Sequence, residues 1–263
     1  MGRDYPSYLA PRYITCQTKP RTRNNEPGIR MALKQFWAFL KSLEKGYRDR
    51  FSHDIVAPIE RKKSASYVRW VDHEILRTHW HNFAQIAPGA YRSNHPTRKR
   101  FEKYAQMGIK TIVNLRGQNR FAHYAFEVEA CHDLNLDLIN ISLSARKAAT
   151  RERMLELIDL LTNISPPFLL HCKSGADRTG LASVIYLMLV HDVPVMQAKR
   201  QLAIRHMHLN FTQTGILDYI IWLFHERQNH GFIGFRDWVE TEYDPLQVSE
   251  DFAKLPLLKR VRL

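Results

Sequence analysis

Cys172 stands where a thiol could act as a nucleophile on an anion. It lies in the run His171-Cys-Lys-Ser-Gly-Ala-Asp-Arg-Thr-Gly180, between the apolar Phe168, Leu169 and Leu170 and a mostly apolar helical pattern over residues 181–190. The run therefore reads as a strand-to-helix turn. Its backbone N–H groups and the positive end of the following helix converge on one point, where an oxyanion is favoured. The same field lowers a thiol pKa from its free value of ~8.5, with His171 and Arg178 as nearby cations. The planar fork of Arg178 can hold two phosphate oxygens at once. Gly175 and Gly180 permit a tight turn and close approach of the backbone to a ligand. Lys173, Ser174, Gly175, Ala176, Thr179 and Gly180 are thus candidate phosphate or substrate contacts, and the Thr179 hydroxyl can donate to the sulfur when it leaves.

Cys172, five residues, then Arg178 and Thr179 resembles the signature of the cysteine-dependent tyrosine and dual-specificity phosphatases, specifically the atypical bacterial-type dual-specificity group. The resemblance implies in-line attack of the Cys172 thiolate on phosphorus, a cysteinyl-phosphate intermediate and its hydrolysis by water. It implies no metal and no cofactor. In many relatives the leaving-group acid sits on a loop about thirty residues before the cysteine. Residues 140–147 fall there and hold no Asp or Glu. Asp177, directly before Arg178, is the substitute acid, as in loops with an Asp-Arg-Thr ending; its alternative role is to orient Arg178 through an ion pair. Asp137 is a weaker alternative acid. Tyr91-Arg92-Ser93 resembles the start of the catalytic domain in atypical dual-specificity phosphatases, so the resemblance spans roughly residues 70–210.

These groups must be positioned by a frame of strands and helices. Residues 83–91 read as strand, turn and strand around Pro88-Gly89. A helix is expected over 97–107, a β-branched strand over 109–115, a helix over 119–132 and a strand over 136–143. A helix over 151–163 and a strand over 168–172 follow, with further helices over 193–206 and 214–227. This alternation predicts an α/β fold: a mostly parallel central sheet flanked by helices on both faces, with the phosphate loop between a strand and a helix. Ligands collect at the carboxyl ends of such strands. Arg116-Gly117, Arg146-Lys147 and the cysteine loop should meet there, and Arg116 is a candidate substrate contact. Gln213 falls where tyrosine phosphatases often keep a glutamine that positions water; its plainer reading is polar surface.

The expected division is a basic, flexible arm over 1–30, an amphipathic helix and connector over 31–70, a phosphatase domain over 71–230 and a C-terminal extension over 231–263. Met31 could be an alternative start. The helix over 31–50 carries Leu33, Phe36, Trp37, Leu40 and Leu43 against Lys34, Lys41, Lys45 and Arg48. That pattern suits packing on a basic domain, and also weak contact with a membrane surface. No run reaches the ~18 apolar residues of a membrane span, and the start lacks a secretory h-region. Three cysteines, at 16, 131 and 172, suggest neither a disulfide framework nor a zinc cluster. A cytoplasmic location follows, because a reactive thiol needs reducing surroundings. Cys131 reads as structural, with a protective disulfide to Cys172 as the alternative. His79-Trp80-His81 has no partner at metal-ligand spacing.

A net charge of +13 attracts anions. No motif reads nucleic acid specifically. The substrate classes are, first, phosphorylated protein and, second, a phosphoinositide or inositol phosphate, which Lys173 would favour by engaging a second phosphate. A phospho-ligand-binding pseudophosphatase ranks lower, since Cys172, Arg178 and Thr179 are intact. Sulfur transfer and arsenate reduction fit the loop less well.

Overall fold

The computed structural model describes residues 55–263 and, before them, positions 31, 35 and 42, which are helical. The expected arm over 1–30 and most of the amphipathic helix over 31–50 lie outside the described residues.

Five strands form one sheet: β1 (Ala84–Ala87), β2 (Ala90–Asn94), β3 (Thr111–Asn114), β4 (Asp137–Asn140) and β5 (Phe168–Cys172). The order is β1-β2-β5-β3-β4. β1 and β2 make an antiparallel hairpin turned at Gly89, whose φ of 75° suits a residue without a side chain. Every other neighbouring pair is parallel. The sheet is thus mostly parallel, as the alternation predicts.

Buried on both faces, β5 is the central strand, and its period-2 alternation decides what each residue meets. Phe168, Leu170 and Cys172 join one core with α5 (Arg151–Asn163), α6 (Asp177–Val190) and α8 (Ile216–Gln228). Leu169 joins the opposite core, with Phe101 and Tyr104 of α3 (Arg98–Gln106) and Ala130 and Cys131 of α4 (Ala122–Asp133). Helices therefore cover both faces. α1 (Pro58–Trp70) lays Tyr67 and Val68 near Ala122 and ties Arg61 to Glu129 at 2.7 Å. The short α2 (Glu74–His79) then leads into the hairpin.

Beyond α6 the expected single helix over 193–206 is not formed. The chain makes α7 (Val195–Ala198) and two 3-10 turns, Lys199–Gln201 and Ile204–His206. The break has a cause outside the segment: the Gln201 carbonyl turns to accept from Arg92 at 2.8 Å, and the His206 carbonyl accepts from Asn82 at 3.0 Å. After α8, the chain adds α9 (Phe235–Thr241), α10 (Pro245–Lys254) and α11 (Leu257–Val261). Phe235, Trp238, Val239, Tyr243, Val248 and Phe252 continue the first core. The Tyr243 hydroxyl donates to the Ala149 carbonyl at 2.7 Å.

Candidate active site

The parallel register brings Asn94, Cys172, Asn114 and Asn140 to the same end of the sheet. Asp137 pairs with Thr111, which in turn pairs with Phe168, at the other end of the sheet, three strand residues or more from that edge, so it does not reach Cys172. The loop after Cys172 closes by entering α6 at Asp177, which places Arg178 and Thr179 in the first helical turn rather than before it. The positive end of a helix of 14 residues is therefore set beside the sulfur.

Cys172 is 1% exposed. Burial alone would push its thiol up, but the Arg178 charge and the Thr179 hydroxyl and backbone N–H beside the sulfur outweigh it, and the pKa lies below its ordinary value of 9.0. Arg178 makes no ion pair among the described residues, and its buried Nε has no hydrogen-bond partner. A buried donor without a partner carries a desolvation cost that an anion would relieve. Cys131 is a different thiol. It is buried in the core on the other face of the sheet, not paired with Cys172, and burial pushes it up to about 12.

The loop's shape is held from outside. Arg92 is 0% exposed and donates to the Gly175 carbonyl at 2.6 Å, the Gln201 carbonyl at 2.8 Å and Gln201 Oε1 at 2.7 Å. Asn82 Nδ2 donates to the Ser174 carbonyl at 3.1 Å, and the Ala176 N–H donates to Ser174 Oγ at 3.3 Å. Gly175 has φ 71°, and a Cβ there would lie 2.5 Å from the Ser93 carbonyl oxygen and 2.6 Å from the Asn94 nitrogen. A side chain therefore cannot stand at this position without moving the loop off the end of β2.

His171 points to the other face of β5. Its Nε2 lies 2.5 Å from Glu127 Oε1, and His95 Nδ1 lies 4.0 Å from Glu127 Oε2. All three are buried, and their ligand-type atoms lie within 4.8 Å of one another. Atoms sharing a tetrahedral ion at ~2.1 Å sit well over 3 Å apart. At 2.5 Å, His171 Nε2 and Glu127 Oε1 touch each other directly, although neither atom makes a hydrogen bond. This fixes the residue preceding Cys172 against α4.

Of the basic residues expected at this edge, Arg116 and Lys173 turn to a carboxylate. Arg116 binds Asp72 with both nitrogens, at 2.9 and 3.1 Å, while Lys173 Nζ is 3.4 Å and Arg77 Nη2 2.8 Å from the same group. Burial opposes the charge on Asp72, but Arg116 and Arg77 override it and hold the carboxyl far below the usual range. Sequence reasoning singled out neither Asp72 nor Arg77. Asp72 lies in the turn between α1 and α2 and Arg77 within α2, far along the chain from Arg116 and the loop.

A hollow of about 980 Å³ opens over the loop, lined by Lys173, Ser174, Asp177 and Arg178 on its floor and by Leu76, Trp80, Leu143 and Met207 on its walls. Arg146 also lines it, whereas Arg116 does not. Gln213 and Lys147 border a neighbouring hollow that shares Ser144 and Arg146. Asp177 makes no ion pair with Arg178; its Oδ1 meets His208 Nδ1 at 2.7 Å. His208 carried no functional expectation from the sequence.

Solved structures similar to this chain include Tk-PTP in its active form, with 16% identity over 56% of this chain and 99% of the other and a TM-score of 0.45. TpbA of P. aeruginosa has 17% identity over 66% and 92%, with a TM-score of 0.39. The core catalytic domain of the PP-IP phosphatase SIW14 from S. cerevisiae has 16% over 56% and 93%, with a TM-score of 0.43. No curated protein matches the chain. The family model described as DSP-PTPase phosphatase fused to NAD+ kinase matches residues 84–215, which run from β1 through the cysteine loop to the threshold of α8 and make up about half of the 263 residues. With Cys172, Arg178 and their loop all inside the matched segment, the chain belongs to that family and is a cysteine-dependent phosphatase.

Proposed function

We propose that the Cys172 thiolate attacks phosphorus in line, forming the S–P bond as the P–O bond to the leaving alcohol breaks. Arg178 and the amides of residues 173–180 hold the three equatorial oxygens. Asp177 gives its proton to the departing oxygen. Water then attacks the cysteinyl phosphate, the S–P electron pair returns to sulfur beside the Thr179 hydroxyl, and Asp177 accepts the proton of the water. His171 supports this indirectly by anchoring the strand end to Glu127.

The substrate is a monophosphate ester on an aromatic or otherwise apolar group, with phosphotyrosine in protein first. The observation that carries this is the distribution of charge around the hollow. Asp72 gathers Arg77, Arg116 and Lys173, while Leu76, Trp80, Leu143 and Met207 supply apolar walls. A polyphosphorylated inositol ring needs several uncommitted cations, and Arg178 and Arg146 remain. A hollow wider than one tyrosine side chain leaves room for flanking residues. The same walls favour, as a second reading, a lipid carrying one phosphate. Among the described residues no helix is long and apolar enough to cross a membrane.

The test is phosphate release from phosphotyrosine and phosphoserine peptides, a phosphatidyl monophosphate in detergent and polyphosphorylated inositols, with Cys172→Ser as control. Phosphotyrosine peptides should be turned over fastest and inositol polyphosphates slowest, with all turnover lost in the control. Preference for the inositol polyphosphates would overturn the substrate reading, and turnover retained in Cys172→Ser would overturn the mechanism.

A further inference from the structure

Asp177 leads away from the hollow into a buried chain of ionisable groups that the mechanism above does not use. Its Oδ1 meets His208 Nδ1 at 2.7 Å, and His208 Nε2 meets Asp218 Oδ2 at 2.5 Å. His208 is 3% exposed and Asp218 1%. The charged groups around the ring are Asp177 from α6, Asp218 from the first turn of α8 and, behind Asp218, Lys199 with its Nζ 3.7 Å from Oδ1. With a carboxylate at each ring nitrogen, the imidazole donates at both ends and carries a charge. Burial opposes that charge, yet Asp177 and Asp218 override it and raise the pKa to about 9. Two buried ionisable groups joined to a partly buried third are a poor way to hold a helix junction, since apolar residues of similar volume would serve as well or better. One end of the array, however, lies on the wall of the hollow.

We propose that His208 is a positioning residue that orients Asp177 and stores the proton which Asp177 passes to the leaving oxygen, with Asp218 holding His208 in place and charged. This rests on the reading of Asp177 as the leaving-group acid. In the forward step the Nδ1–H bond breaks and an O–H bond forms on Asp177. A half-turn of the carboxyl about Cβ–Cγ presents that proton to the ester oxygen, which takes it together with the P–O electron pair. His208 is left neutral, still donating through Nε2–H to Asp218. When water attacks the cysteinyl phosphate, its proton goes to Asp177 and back to Nδ1, so each cycle closes with no net proton change at the array.

The experiment compares Asp177→Asn, His208→Asn and Asp218→Asn in the full chain, using an alkyl phosphate and p-nitrophenyl phosphate, whose leaving oxygen needs little protonation. His208→Asn should slow the alkyl ester by at least about tenfold and the aryl ester by less than about threefold. In Asp218→Asn the alkaline limb of kcat for the alkyl ester should move from near pH 9 down toward the ordinary histidine value of 6.5. In Cys172→Ser, the His208 ring followed by NMR should titrate near 9 and fall in the double variant with Asp218→Asn. Equal slowing of both esters by His208→Asn, an unmoved alkaline limb or a ring titrating near 6.5 overturns the proposal. Asp177→Asn separates the two levels. If it slows both esters equally, the acid assignment itself falls; if it is selective for the alkyl ester while His208→Asn is not, only the relay falls.

Discussion

Replacing Asp72 with asparagine removes one negative charge from three cations and almost no volume, so the cost is electrostatic rather than a cavity. The side chains of Arg77 and Arg116 are 5% and 10% exposed. Asp72→Asn leaves both guanidinium groups without their counter-charge, and breaking a buried pair from one side costs about 3–5 kcal/mol. Lys173, with 39% of its side chain exposed, adds little because solvent screens it. For a folded unit of this size each kcal/mol moves the Tm by about 2–4 °C, so thermal unfolding followed by circular dichroism should show a drop of about 6–20 °C. The pH dependence has a definite sign. The folded pKa of Asp72 is depressed from 3.8, so its stabilisation is present at neutral pH and is lost as the pH falls below that unfolded value. The difference between wild type and Asp72→Asn should therefore stay level down to about pH 5 and shrink toward about pH 3. Release of Arg116 and Lys173 beside the loop should also raise turnover of polyphosphorylated inositols relative to phosphotyrosine peptides. A Tm drop below about 2 °C, unchanged between neutral and acid pH, would refute the view that this carboxylate neutralises the rim.

Two other perturbations act on the loop directly. Gly175→Ala would drive a Cβ into the end of β2 at 2.5 Å and impose φ 71° on an L-residue, costing about 1–3 kcal/mol by denaturation. Because the loop must shift, its kcat should fall on the order of a hundredfold; wild-type turnover would mean that the loop tolerates displacement. Iodoacetamide should alkylate Cys172 with a pH midpoint below 9.0, slowed by phosphate or vanadate, and Arg178→Ala should move that midpoint up. Under the same native conditions Cys131, buried and pushed up to about 12, should stay unlabelled, as peptide mapping would show.

Much of the fold was legible because its signals are local. The helix Arg151–Asn163 and the strand Phe168–Cys172 have the bounds their patterns predict, the former capped by Thr150, whose side chain accepts from the Arg153 N–H. The start of α6 at Asp177 was less so, since the apolar pattern begins only at Leu181 while the helix already includes the polar turn that carries Arg178 and Thr179. The segment 193–206 misled because its periodicity is helical, whereas its carbonyls are needed by Arg92 and Asn82. The helices after α8 were left unassigned; each is short, and their apolar residues acquire a face only against the core built by α5 and α8.

The chemistry divides in the same way. Ten consecutive residues contain the thiol, the guanidinium, the hydroxyl and the glycine turn, so the sequence alone determined that this chain carries the loop of a cysteine-dependent phosphatase. Which cations are left to read the rest of the substrate was decided by tertiary structure. Asp72 captures Arg116 and Lys173 from 44 and 101 residues away along the chain, and His208 reaches Asp177 across 31. Coulombic pairing depends on distance in space and on exclusion of water, and neither is written in the order of residues.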